Sequence, residues 1–134
     1  MNIFRAFMLC AAGFLSGCEF NLKNDFIPPP REGYIWARNA DTPPLLSGKI
    51  DSSRFYPGKA RARGIQEYAV SVLCFIDEDG TFVDSEITSG DNGLYGFDEA
   101  ATAALRSARF RPGLLNNRPV KTARIFIVRF DSGR

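Results

Sequence analysis

The chain has 134 residues, of which 45% are hydrophobic and 24% charged, with a formal net charge of +2. That balance is ordinary for one globular domain with some linker. There is no histidine. Its absence excludes Ser-His and Cys-His nucleophile pairs and every zinc site that relies on imidazole.

The N-terminus has the three parts of a secretion signal. Met1–Arg5 carries one positive charge, Ala6–Leu15 is an apolar run of ten residues, and Ser16-Gly17 are small. Ten residues rise only about 15 Å as a helix, roughly half a bilayer core, so the run is too short to span. Leu15-Ser16-Gly17-Cys18 resembles the bacterial lipoprotein box. That resemblance implies cleavage before Cys18 and acylation of Cys18, with two or more chains needed for a stable anchor. Glu19 follows, where lipoproteins kept at the inner membrane typically carry Asp, so the outer membrane is favoured. The alternative is a plain secretory signal with a chance cysteine. Of the three cysteines, Cys10 lies in the signal and Cys18 at the anchor, so Cys74 is left alone. An internal disulfide and a multi-cysteine metal site are then ruled out.

The expected organisation is a signal at 1–17, a lipid-anchored tether at 18–53 and a folded domain at 54–134. Pro28-Pro29-Pro30 and Pro43-Pro44 favour extended backbone in the tether. Ile35 and Trp36 are apolar enough to dock somewhere.

From Arg54 the pattern changes. Pro57 and Gly64 bracket a short helix. Ala69–Ile76 reads as a strand with Val70, Val72, Cys74 and Ile76 on one face. Asp79-Gly80 signals a two-residue hairpin. Thr81–Thr88 returns, with Val83 and Ile87 on one face. Ser89–Gly96 is a loop. Phe97 to about Arg109 is the clearest helix, with Phe97, Ala100, Ala101, Ala104, Leu105 and Ala108 on one side. Leu114–Pro119 reads as a loop. Val120–Asp131 reads as a last strand in which Phe126, Val128 and Phe130 alternate with Ile125, Ile127 and Arg129.

Charge is uneven. Residues 77–99 hold eight acidic and no basic side chains, and residues 100–134 hold eight basic and one acidic. One reading is compensation between an acidic hairpin and a neighbouring basic strand. The other is a basic face of Arg106, Arg109, Arg111, Arg118, Lys121 and Arg124 for anionic lipid, peptidoglycan or an acidic peptide. Nucleic acid does not suit the compartment.

No catalytic or metal constellation survives inspection, so the expectation is no enzyme, no metal and no cofactor. Aligning Asp77, Asp79, Gly80 and Glu86 to a calcium loop puts Phe75 at the first ligand position, and the flanks read as strands. Asp98 and Glu99 open a helix, where its dipole favours them. Cys74 sits on an apolar strand face with no histidine to activate it.

Tyr56-Pro57, Ala60-Arg61 and Gly64-Ile65, then V-S-V-L-C-F-I-D-E-D-G, then F-D-E-A-A-T-A-A-L-R-S-A-R-F-R-P-G and N-N-R-P-V, resemble the TonB C-terminal domain in order and spacing across about 54–131. The resemblance implies an α+β fold, a three-stranded antiparallel sheet with two helices packed on one face. It also implies strand-addition binding of the periplasmic segment of an outer-membrane receptor or other envelope protein, and strand-mediated homodimers in some members. The last strand is the candidate edge, with Arg124, Ile125, Phe126, Ile127, Val128, Arg129 and Phe130 as partner-binding residues. Three departures stand out: Cys74 where a larger residue is usual, Asn117 for the turn glycine, and no Gln-Pro-Arg before Tyr-Pro. The expected function is a lipid-anchored, non-catalytic periplasmic module, facing the periplasm from the outer rather than the inner membrane and active in TonB-dependent transport. The alternatives are a true energy transducer with an uncleaved N-terminal anchor, and a structural protein binding peptidoglycan or anionic lipid.

Overall fold

The computed structural model describes residues 30–133. The signal and Cys18 lie outside the described residues. The elements in chain order are β1 (Ile35–Trp36), β2 (Leu45–Leu46), α1 (Gly58–Ala62), β3 (Glu67–Ile76), β4 (Phe82–Ser89), α2 (Phe97–Ser107), β5 (Phe110–Arg111), β6 (Gly113–Leu115), β7 (Arg118–Val120) and β8 (Thr122–Asp131). The main sheet has the order β1-β8-β3-β4. β3 pairs antiparallel with β4 on one side and β8 on the other. The three long antiparallel strands and two helices are the expected α+β fold. The short parallel strand β1 makes the sheet four-stranded.

Each helix ends for a local reason. At the end of α1 the Ile65 N–H bonds the Ala60 carbonyl and the Gly64 N–H bonds that of Arg61, both at 3.1 Å. This is the paired closure of a Schellman motif, and it needs a left-handed residue, here Gly64 at φ 72°. Ile65 then turns onto the core. α2 presents the anticipated stripe, with Phe97, Ala101, Ala104 and Leu105 fully buried. Small alanines let the helix lie close to β3 and concentrate the packing on Phe97 and Leu105.

The core lies between the helices and one sheet face. Val70, Val72, Cys74 and Ile76 of β3 meet Phe126, Val128 and Phe130 of β8 there. Phe97 is its hub. It stacks on Tyr68 at 4.6 Å between centroids and meets Tyr56 and Phe130 at 5.6 and 5.3 Å. Tyr56 also donates its hydroxyl proton to the Ile65 carbonyl, tying the start of the domain to the end of α1. Truncating an aromatic so enclosed costs about 3–5 kcal/mol.

Four local expectations change. The β3–β4 connection is a three-residue loop rather than a two-residue one. Asp77 pairs with Thr81 through its N–H at 2.9 Å, and the Gly80 N–H closes onto the Asp77 carbonyl at 3.0 Å. Gly80, at φ 87°, supplies the left-handed residue of the resulting bulge. A Cβ on Gly80 would stand 2.3 Å from the Phe110 carbonyl oxygen, so the site also demands glycine for space. Second, a register shift beside Phe75 and Ile76 makes Phe82, not Val83, the residue across from Ile76 and against the core. Val83 stays 47% exposed. Third, residues 114–119 form the β6–β7 hairpin rather than a loop. Its turn residues Asn116 and Asn117 are both left-handed, at φ 53° and 63°, the backbone of a two-residue primed turn. Asparagine tolerates this conformation, which accounts for Asn117 in place of glycine. Fourth, β3 separates the acidic β4 from the basic β8, so those strands are not direct neighbours.

A candidate partner-binding edge

β8 pairs with β3 over its entire length without a register shift, from Glu67 opposite Asp131 to Ile76 opposite Thr122. Its other side meets only β1, at Thr122 and Ala123. From Arg124 to Asp131, among the described residues, no strand lies beyond it. The direction of the free backbone groups follows from alternation along the strand. The Ile35 N–H bonds the Lys121 carbonyl at 3.0 Å, so odd-numbered residues point their polar groups towards the β1 side. The Ser132 N–H bonds the Gln66 carbonyl at 2.9 Å, so even-numbered ones point towards β3. Ile125, Ile127 and Arg129 therefore offer N–H and C=O groups outward, which is the template an added strand needs.

The side chains of the seven candidate residues divide by the same alternation. Phe126, Val128 and Phe130 are buried in the core. Ile125 and Ile127 stand on the opposite sheet face, 50% and 58% exposed, with Arg129 also exposed there. Proline or charge at Phe126 or Val128 would disturb the core and the β3 ladder before it tested the edge. Arg124 lies across from Cys74, with its guanidinium 5.3 Å from the Phe126 ring centroid and 2.6 Å from the Pro44 carbonyl, to which it donates.

Residues 31–47, the part of the expected tether that nears the domain, form a strap of which residues 31–36 lie on that opposite face. Arg31 donates to Asp84 of β4 at 2.7 Å and lies 3.9 Å over the Phe75 ring. Tyr34 packs edge-on to Phe75. Trp36 joins Tyr34, Leu73, Phe75 and Ala123 in a second small apolar cluster. Beyond it, Thr42 bridges to Leu114, β2 pairs with β5, and Asp41 accepts from the Asn116 N–H at 2.7 Å. Only the apolar pair Ile35-Trp36 signalled this strap in the sequence. The partners of Arg31 and Asp41 are 53 and 75 residues away in sequence, too far for any local pattern to reveal.

The basic side chains are carried by several elements. Lys121 lies over the Tyr34 ring and Arg106 over that of Phe82, at 5.9 and 5.8 Å. Arg111 sits on β5, Arg118 opens β7, and Arg109 follows α2; all three are exposed. The Arg31 guanidinium, followed by the Ser85 N–H, holds the Asp84 carboxyl below its ordinary value.

The acidic loop before α2 has a structural task. Asp91 accepts from the N–H groups of Gly93, Tyr95 and Phe97 at 2.9, 2.9 and 3.1 Å. Burial alone would raise its pKa. The bonds from Tyr95, Phe97 and Gly93, with Asp98 beside it, outweigh that and hold it below the usual carboxylate range. Asp91 thus caps α2 from six residues away, because Gly96 at the cap position has no side chain to do so. Asp98 accepts from the Asp91 N–H at 2.9 Å. Cys74 is buried and free, and burial pushes its thiol up to about 12, which leaves it unreactive as a nucleophile. Among the described residues no group of acidic and cysteine side chains is arranged to hold a metal ion, and no helix is long and apolar enough to cross a membrane.

An α+β domain whose long edge strand is open among the described residues presents the backbone template that an added strand needs. Residues 52–131 match the family model for the Gram-negative bacterial TonB protein C-terminal, and that match covers more than half of the chain. The chain belongs to the TonB C-terminal family. Its members are non-enzymatic domains of the periplasm and cell envelope that interact with envelope proteins such as outer-membrane receptors. No curated protein matches the chain.

Proposed function

We propose that this chain is a lipid-anchored, non-catalytic periplasmic module that docks an extended segment of an envelope protein along β8. The observation that carries this reading is the open run Ile125–Asp131, with outward backbone groups at Ile125, Ile127 and Arg129 and exposed isoleucines beside them. A periplasmic segment of an outer-membrane receptor is the partner this suits, in service of TonB-dependent transport. A second copy of the chain is the competing occupant of the same edge. The anchor is an acylated Cys18 after removal of residues 1–17, and Glu19 favours retention at the outer membrane. Residues 18–53 then link anchor to domain, and residues from 31 onward lie along it.

Two measurements test the two halves of the proposal. The mature N-terminal mass with palmitate labelling, compared between wild type and Cys18→Ala, tests the anchor. An unmodified Cys18 with residues 1–17 retained would support the alternative of a transducer held by an uncleaved anchor. Photo-crosslinking from Ile127 in intact envelopes tests the edge. A partner captured from position 127 and lost when Arg129→Pro is added supports docking there. Equal capture in both refutes it.

A further inference from the structure

The β1–β8 ladder stops at Ala123, and the chain leaves the sheet through a 3-10 turn at Ala37–Asn39. At that point a groove of about 330 Å³ opens between the strap and the edge strand, lined by Trp36, Ala37, Arg38, Ala123, Arg124 and Ile125. Its walls are apolar. Two guanidiniums flank it: Arg38, 5.9 Å from the Trp36 ring centroid, and Arg124, held at the Pro44 carbonyl. A strand added along Ile125–Asp131 continues the line of β1, so one of its ends must lie at this groove.

We infer that the strap is part of the docking site: the groove between Trp36–Arg38 and Ala123–Ile125 receives one bulky apolar side chain at the end of the added strand. This rests on the edge-docking reading above and goes beyond it, because half of the groove comes from residues outside the matched family region. The geometry selects the ligand. The next outward backbone groups after β1 belong to Ile125, so an added strand is held there by its main chain. The side chain beside that position meets indole, methyl and isoleucine surface. The flanking arginines, with Arg129 further along the edge, disfavour a basic segment and leave an apolar one the better fit. Trp36 and Ala37 are therefore specificity-determining residues of the edge.

Trp36 is the single tryptophan of the chain, so its emission reports on the groove directly. The mature full-length protein in detergent micelles is titrated with acetylated hexapeptides of alternating threonine and valine. Each peptide carries Phe, Ala or Lys at one end. Binding is read from the amide shifts of Ile127 and Arg129 together with Trp36 fluorescence. The expected result is that one Phe-ended peptide binds about tenfold more tightly than its Ala-ended counterpart, as burial of one aromatic side chain implies. It also shifts Trp36 emission to the blue, and the Lys-ended peptide is the weakest. Ala37→Phe fills the groove without touching the core. It should abolish the Phe preference, so that Phe- and Ala-ended peptides bind alike, and leave the thermal midpoint unchanged. Equal affinities for Phe- and Ala-ended peptides, with Trp36 emission unmoved while Ile127 and Arg129 still shift, would overturn the groove and leave edge docking intact. Absence of any shift at Ile127 and Arg129 with every peptide would overturn both.

Discussion

The sheet has two outer long strands, and they are built differently. β4 shifts register against β3 at both ends, so the regular pairing runs only from Val72 to Phe75 against Ile87 to Asp84. Its regular stretch carries Asp84 and Glu86, and its far end runs into the Asp91 loop. Bulges and charge are the ordinary means by which natural sheets discourage pairing at an edge. β8 has no bulge, and its charged residues Arg124, Arg129 and Asp131 leave Ile125–Val128 uncharged. It is flat against β3 for ten residues and exposes two isoleucines beside its outward backbone groups. The strap covers just its first two residues. One edge strand is irregular in its pairing and acidic along its regular stretch. The other is left open over a length that suits a short added strand.

The contrast within β8, between its two faces, should give the largest effect. Phe130→Ala should lose about 3–5 kcal/mol of stability by urea unfolding, because Phe130 is enclosed by Phe97 and Tyr56. Ile127→Thr on the exposed face should change stability by less than about 0.5 kcal/mol. Comparable losses would mean that the outer face is not free. On the β4 side, Asp91→Ala should cost about 1–3 kcal/mol, since the N–H groups of Gly93, Tyr95 and Phe97 lose their acceptor. The sign with pH follows. Asp91 has a folded-state pKa below its unfolded value, so its contribution is full above the unfolded value and disappears as pH falls through the folded one. Acidification over that window should destabilise wild type more than Asp91→Asn, as read from thermal midpoints.

A comparison of the two edges themselves needs substitutions that spare the fold. Ile127→Pro removes an N–H that points away from β3, a position where proline is tolerated in an edge strand. It should abolish edge docking while the thermal transition remains cooperative. Glu86→Lys on β4 should leave docking unchanged, and loss of docking there would mean that the wrong edge has been assigned. The smallest expected effect is at the strap. Arg31→Ala removes an exposed ion pair to Asp84 and should lower the thermal midpoint slightly, with the difference shrinking at high salt.

Much of this could be read from local pattern. The apolar stripe of α2, the alternation of β3 and β8 and the Gly64 helix stop are each set within a few residues, where period and backbone preference act. The last strand was expected to be the edge with seven candidate residues, of which Phe126, Val128 and Phe130 turn into the core. Other features escaped local reading. Val83 was expected to share a face with Ile87, because a bulge cannot be seen in alternation. The tip glycine at position 80 signalled a turn, but its need for space comes from Phe110, thirty residues on. The basic residues clustered in sequence are carried by several elements, with Lys121 over the Tyr34 ring and Arg106 over that of Phe82.

By itself the sequence determined the class of fold, the family and which strand would be the last. Those depend on periodicity and short motifs, which are properties of neighbouring residues. Tertiary structure alone decided which part of β8 stays open, how deeply its side chains are covered, and that residues 31–47 wrap the sheet beside it. Those outcomes rest on pairings such as Arg31 with Asp84, Ile35 with Lys121 and Pro44 with Arg124. Each joins segments distant along the chain, and each exists only once β3 has brought β4 and β8 to its two sides.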